Sequence, residues 1–142
     1  MANTSALQEA IHWVRGELGR IHTQSFDKRE VRLRTGANRS FNAVSADGRL
    51  VATVMNSSGL TSGGKKPVGK IRGAIAEVYF LSLVDATHRL LVATDSSFFA
   101  ILEQELDGAL VEGVELFHLP LPAALAAKVA DVTAAASTEI SG

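Results

Sequence analysis

A run of four apolar residues, Leu90 to Ala93, constrains the fold of this chain more than any other sequence feature. Such a run is typical of a strand that is covered on both faces, as in a parallel sheet between helices. The segment Leu50 to Asn56 predicts an earlier strand, and Val68 to Val84 predicts a helix between the two. Because a connection of about 30 residues that contains a helix joins parallel strands by a right-handed crossover, we expect a partly parallel sheet with flanking helices.

Hydrophobic spacing and turn residues predict the elements before this crossover. A helix is expected from Thr4 or Ser5, because apolar residues recur there every three or four positions. These positions are Leu7, Ile11, Val14, Leu18 and Ile21. Apolar and basic residues alternate at Val31–Arg34, which predicts a first strand. Phe41–Ala46 is interpreted as a second strand, and Asp47-Gly48 predicts a tight hairpin turn before the third. Period-two geometry places Phe41, Ala43 and Ser45 on one face of the second strand.

The elements after the crossover complete a single domain. We expect a helix from Ser96 to Gly108, a sheet-edge strand at Val114–Leu119 and an Ala-rich helix at Ala123–Ala135. The predicted fold is therefore α/β (mixed α+β). Its core has the order α-β-β-β-α-β, and a C-terminal α-β-α extension follows. The predicted domain spans residues 1–136, and residues 137–142 are expected to form a flexible tail.

Composition excludes several classes of function. The 142 residues contain no cysteine, which excludes disulfides, thiolate zinc sites and a thiol nucleophile. The four histidines have no metal-ligand spacing, so no metal or other cofactor is expected. No apolar run is long enough for a membrane span and the N-terminus lacks a secretory pattern, so we expect a cytoplasmic protein with no membrane contact.

The charges are divided unevenly along the chain. The formal net charge is −1, but residues 1–72 carry +7 and residues 73–142 carry −8. This asymmetry favours a surface that binds a polyanion, backed by an acidic remainder. The alternative is that folding mixes the two signs over the whole surface.

The densest basic segment predicts a phosphate-binding surface. Four basic residues, Lys65, Lys66, Lys70 and Arg72, fall within eight positions on a Gly- and Ser-rich loop (residues 57–66) and the start of the following helix. Lysine and arginine bind the phosphate backbone of nucleic acids with release of counterions, and a helix N-terminus adds partial positive charge. Arg34 and Arg39 are predicted to assist. The alternative is a solvated basic surface without a partner.

The element order, the hairpin between the second and third strands, and the basic helix after a loop resemble the PD-(D/E)XK nuclease superfamily, the fold of many restriction endonucleases. The resemblance covers residues 5–95. In that family an acid on the second strand and an acid-x-Lys on the third hold Mg²⁺ and position a water. The resemblance places these roles at Asn42, Thr53 and Met55, none of which is the required type. It places Glu17 where the family often has an acid in the first helix. The resemblance therefore implies a non-catalytic DNA-binding domain with a degenerate site.

Two other functions stay open at this stage. The final helix and the strand Val114–Leu119 could form a homodimer or dock on a partner protein. Alternatively, Glu17, Asp47 and Glu77 could form a relocated site for Mg²⁺ or Mn²⁺ and retain nuclease activity.

Overall fold

The computed structural model describes residues 4–59 and 64–141, and the side chains of residues 5–59 and 64–132. The predicted loop of residues 57–66 therefore lies partly outside the described residues. The helices and strands follow the predicted order. They are α1 (Thr4–His22), β1 (Phe26–Arg32), β2 (Asn38–Ser45), β3 (Leu50–Met55), α2 (Val68–Ser82), β4 (His88–Ala93), α3 (Ser96–Glu105), β5 (Val114–His118) and α4 (Ala123–Ser141).

The five strands form one mixed sheet in the order β1-β2-β3-β4-β5. Strands β1, β2 and β3 pair antiparallel, whereas β3–β4 and β4–β5 pair parallel. The hairpin turn between β2 and β3 contains Gly48 with φ of +74°, a conformation that glycine adopts without strain. The predicted α+β class, the parallel crossover through α2 and the edge position of β5 are confirmed.

Helices cover both faces of the sheet. On strand β3, Leu50, Ala52 and Val54 pack with residues of α1, whereas Val51 packs on the opposite face with residues of α2 and α3. Strand β4 divides in the same way, because successive side chains point to opposite faces. Its residues Leu90 and Val92 face α1, and Leu91 and Ala93 face α2 and α3. The sheet is thus buried on both sides at its centre, as the run from Leu90 predicts.

Helix α4 packs on α1. Leu125 and Val129 are buried and form a small core with Ala10 of α1. The apolar face predicted for a homodimer or a partner protein is therefore covered by the chain's own first helix. The helix also continues to Ser141, into the segment predicted as a flexible tail. No helix in residues 4–59 and 64–141 combines the length and apolar character that crossing a membrane requires.

Strand β2 contains a bulge that overturns one prediction about its faces. Asp27 pairs with Val44 but Arg29 pairs with Phe41, so three steps along β2 match two steps along β1. An extra residue in one strand turns the side chains beyond it to the other face. Phe41 therefore packs on the α2 side of the sheet and Ala43 on the α1 side. The prediction that both share one face is wrong.

Strand β1 begins earlier than the sequence predicts. It runs from Phe26 to Arg32, whereas alternation predicts Val31–Arg34. Only Phe26 is buried within it, because β1 is a sheet edge and most of its positions are exposed and charged. An exposed edge strand lacks the apolar alternation that identifies a half-buried one.

Asp95 caps α3 and also holds the chain that leaves β3. Its Oδ2 accepts hydrogen bonds from the backbone N–H of Phe98 (2.9 Å) and of Gly59 (3.3 Å), and from the Ser97 hydroxyl. A Cβ on Gly59 would lie 2.7 Å from the Ser97 carbonyl carbon, so only glycine allows this approach. These contacts hold Gly59, near the start of the Gly- and Ser-rich loop of residues 57–66, against α3.

This network predicts a pH dependence of stability. Burial acts to raise the pKa of Asp95, but the hydrogen bonds from Ser97, Phe98 and Gly59 outweigh it and the pKa lies below its ordinary value of 3.8. A lowered pKa contributes stability above the unfolded-state pKa, and this contribution is lost as the pH falls through the folded-state pKa. Asp95→Asn keeps an oxygen for the cap but cannot titrate. Between about pH 5 and pH 3, the free energy of unfolding in urea should fall further in wild type than in Asp95→Asn. Equal losses would contradict this role.

Candidate functional site

Three positions that the resemblance assigns to catalysis meet at one surface cavity. Asn42, Thr53 and Met55 line a cavity of about 420 Å³ between β2, β3 and α2. Thr53 and Met55 lie two residues apart on β3 and so share a face of the sheet. Gly73 and Glu77 of α2 form the opposite wall. The three positions therefore lie together in the fold.

Asn42 is used to hold the bulged strand. Its Oδ1 accepts a hydrogen bond from the backbone N–H of Val54 (2.8 Å), and its carbonyl oxygen accepts one from Arg15 Nε of α1 (2.6 Å). In the β2–β3 pair, Ala43 lies opposite Ala52 and Val44 lies opposite Val51. The Asn42 amide thus supplies an acceptor to β3 beside the bulge, which is a structural role.

The acidic group in this cavity is Glu77, and an arginine neutralises it. Glu77 Oε2 accepts from Arg39 Nη2 at 2.7 Å, and its Oε1 accepts from the Thr53 hydroxyl at 3.2 Å. The Arg39 guanidinium carbon also lies 3.9 Å from the centre of the Phe80 ring, a cation–π contact. Both charged side chains are half-buried. Sequence reasoning assigned Arg39 to phosphate and Glu77 to a metal, and it missed their pairing.

The acids of the proposed relocated metal site lie apart. Glu17 is on α1, which covers the other face of the sheet, and it pairs with Arg20 at 2.9 Å. Asp47 lies in the turn between β2 and β3, where it accepts hydrogen bonds from the Arg49 backbone N–H (2.9 Å) and the Ser45 hydroxyl (2.7 Å). These two bonds, the backbone one first, lower the pKa of Asp47. Within the described part of the chain, no group of three His, Asp or Glu residues is arranged to hold a metal ion.

The six predicted phosphate-binding residues do not form one cluster. Arg34 donates to the Ser82 carbonyl at the C-terminal end of α2, whereas Lys65, Lys66, Lys70 and Arg72 surround its N-terminal end. The two ends of α2 lie about 20 Å apart, because an α-helix rises about 1.5 Å per residue. Arg39 lies between them.

The four residues at the helix start differ in their partners. Lys66 forms an ion pair with Glu105 at the end of α3. Among the described residues, neither Lys70 nor Arg72 forms an ion pair. Arg72 is exposed and Lys70 is partly exposed. Lys70 lies one turn before Gly73 on the same side of α2, so its charge is beside the cavity.

The uneven charge along the chain becomes an uneven charge across the molecule. Because the strand order follows the chain order, residues 1–72 form the β1–β3 side of the sheet and the start of α2. Most of the acidic remainder belongs to the β4–β5 side, where Glu103, Asp107, Glu112 and Glu115 are exposed. Helix α4 is an exception, because it returns to α1 and places Lys128 3.6 Å from Glu9. The two signs are therefore only partly separated in space, since Glu77 and Glu105 pair with Arg39 and Lys66 of the basic half.

The chain matches no protein-family model, no curated protein and no solved structure. Function is inferred from the geometry of these residues.

The role of Asn42 predicts a specific loss of stability. Asn42→Ala leaves the buried N–H of Val54 without its acceptor, which should lower the free energy of unfolding by about 1–3 kcal/mol. Asn42→Asp keeps an oxygen at the same position and should retain most of the stability. Urea unfolding of the two variants measures both values. Equal stability of Asn42→Ala and wild type would show that the hydrogen bond does not support the bulge.

Proposed function

We propose that this chain is a non-catalytic nucleic-acid-binding domain with a restriction-endonuclease-like fold. The order of α1, β1, β2, β3, α2 and β4 supports the likeness, together with the antiparallel β1–β2–β3 hairpins and the parallel β3–β4 pair. A fold alone does not establish function, so the proposal rests on the charges beside the cavity.

The contents of the cavity support the absence of metal-dependent hydrolysis. Hard divalent cations prefer several carboxylate or carbonyl oxygens, and a two-acid site supplies the charge that holds them. The carboxylate that lines this cavity, Glu77, is already paired with the Arg39 guanidinium and accepts from Thr53. An arginine beside the carboxylate opposes binding of a second cation. Glu17 and Asp47 are elsewhere in the fold, which argues against the relocated nuclease.

The observation that carries the binding proposal is the uncompensated positive charge at the start of α2. Lys70 and Arg72 lie near the positive end of the helix dipole, and the first turn of α2 contains no acidic residue. Pro67 precedes the helix and provides no side-chain cap for its N–H groups. Such an arrangement costs stability in the free protein and is relieved by a bound anion. A phosphate backbone beside the cavity can contact Lys70, with Lys65 in the preceding loop, whereas Arg72 points to the opposite side of α2.

Binding is expected to be weak and tolerant of sequence, because phosphate contacts position a protein without reading bases. Single-stranded, double-stranded and RNA probes of equal length would identify the preferred nucleic acid. A cytoplasmic location remains a prediction from the sequence.

A charge reversal provides the test. Lys70→Glu should weaken binding of a fluorescent DNA several-fold in fluorescence anisotropy, and it should reduce the slope of log affinity against log salt by about one unit. Lys128→Glu changes the net charge equally but lies on α4, on the other side of the sheet, and should bind as wild type does. Absence of any salt-dependent complex at low ionic strength would reject the proposal, as would equal losses in the two variants.

A second candidate function is self-association. The observation that favours it is a set of exposed apolar side chains on α2, which lies apart from the cavity and from the covered face of α4.

A further inference from the structure

One side of helix α2 exposes large apolar side chains. Val68, Ile75 and Tyr79 keep 49%, 49% and 56% of their surface accessible. Among the described residues only two other large apolar side chains, Ile21 and Val111, are exposed to a similar degree. The spacings of seven and four residues place the three on one side of the helix. Ile75 and Tyr79 lie one turn apart and are contiguous, and contiguous exposed apolar surface marks an interaction site more often than scattered single residues do.

This side of α2 lies away from the cavity. Glu77 and Phe80 contact Arg39 of β2, so they define the side of the helix that faces β2. With 100° between successive residues, Val68, Ile75 and Tyr79 fall on the side toward α3. Between these two sides of α2 lie the small residues Gly69 and Gly73. A Cβ added to Gly69 or Gly73 would meet no atom within 4 Å, so the backbone there is open to a close neighbour.

We propose that this side of α2 is the interface of a homodimer, in which the same side of α2 from a second copy packs against it. The charges on and beside this side of α2 favour a second copy as the partner. Arg72 lies on the same side of α2, between Val68 and the Ile75–Tyr79 pair, and the neighbouring helix α3 exposes Glu103 and Asp107. Among the described residues none of these three has an ion-pair partner. One copy therefore carries both the apolar centre and the opposite charges of a self-complementary surface.

A pairing within the chain supports the same complementarity. Lys66, just before α2, forms an ion pair with Glu105 of α3, so basic residues at the start of α2 already associate with acids of that helix. A two-fold symmetric contact makes each pairing twice, because residue i of one copy meets residue j of the other and the reverse. Apolar residues at the centre with charges at the rim are the usual anatomy of a protein interface.

The dimer is independent of the nucleic-acid proposal, but the two would act together. The interface uses Val68, Ile75 and Tyr79, whereas Lys70 lies on the side of α2 toward the cavity. A dimer would present two basic helix starts. Once a nucleic acid has bound one of them, its effective concentration at the other is increased, so a nucleic acid long enough to reach both would bind more tightly.

Oligomeric state tests the proposal with a matched control. Light scattering after gel filtration, over a wide range of protein concentrations, should give the mass of two chains for wild type. Ile75→Glu and Tyr79→Glu should each give the mass of one chain, because a carboxylate would be buried without a partner. Val111→Glu introduces the same charge at a position of equal exposure, 49%, in the segment between α3 and β5, and should remain dimeric.

Thermal unfolding of the variants at low concentration separates loss of the dimer from loss of the fold. A cysteine cross-link gives a second readout, because the chain has no cysteine of its own. Ile75→Cys, within the interface, should form a disulfide-linked dimer under mild oxidation, and Val111→Cys should not. Wild type that is monomeric at every concentration would overturn the proposal. So would a dimer that survives both Ile75→Glu and Tyr79→Glu, or one that only Val111→Glu dissociates, which would assign the contact to the β5 edge.

Discussion

The parallel pairing of β3 with β4 determines where every candidate functional residue lies. Parallel neighbours require a crossover, and here the crossover contains α2, which must pack on the face of the sheet opposite α1. That single placement sets Glu77 over Thr53, puts Lys70 beside the cavity, and leaves Val68, Ile75 and Tyr79 facing solvent. A chain in which β3 and β4 paired antiparallel would need no helix here and would contain none of these sites.

The Arg39–Glu77 pair explains how an acid can line the cavity without forming a metal site. Exposed ion pairs contribute little to stability, but this pair is half-buried and is reinforced by Phe80 and by the Thr53 hydroxyl. Removing the arginine would leave a partly desolvated carboxylate, and removing the glutamate would leave a partly desolvated guanidinium. Each charged side chain therefore offsets the desolvation cost of the other. The Arg39 Nε is buried without a hydrogen-bond partner, so the guanidinium is held mainly by its Nη2 bond and its ring contact.

The sequence predicts the order of the elements well because that order depends on local patterns. The Leu90–Ala93 run and the Asp47-Gly48 turn each identify one element without reference to the rest of the chain. The failures concern relations between elements. The bulge at Asn42 leaves no mark in the alternation of Phe41 and Ala43, yet it turns Phe41 to the other face. Arg39 and Glu77 are 38 positions apart, and no local spacing pairs them. The covering of Leu125 and Val129 by α1 likewise depends on tertiary packing.

Helix α2 combines two features that work against its stability in isolation, and this makes it the most informative element of the chain. Its cations lie at the positive end of the helix dipole, and its solvent side carries apolar residues together with Gly69 and Gly73, which disfavour a helix. Packing on β3 and β4 through Ile71, Ala74, Val78 and Leu81 outweighs these costs. Stability alone would favour acids in the first turn and polar residues on the solvent side. The helix departs from that expectation at both places at once, the basic start and the apolar side. A bound anion and a second copy of the helix are the two kinds of partner that would reverse these costs.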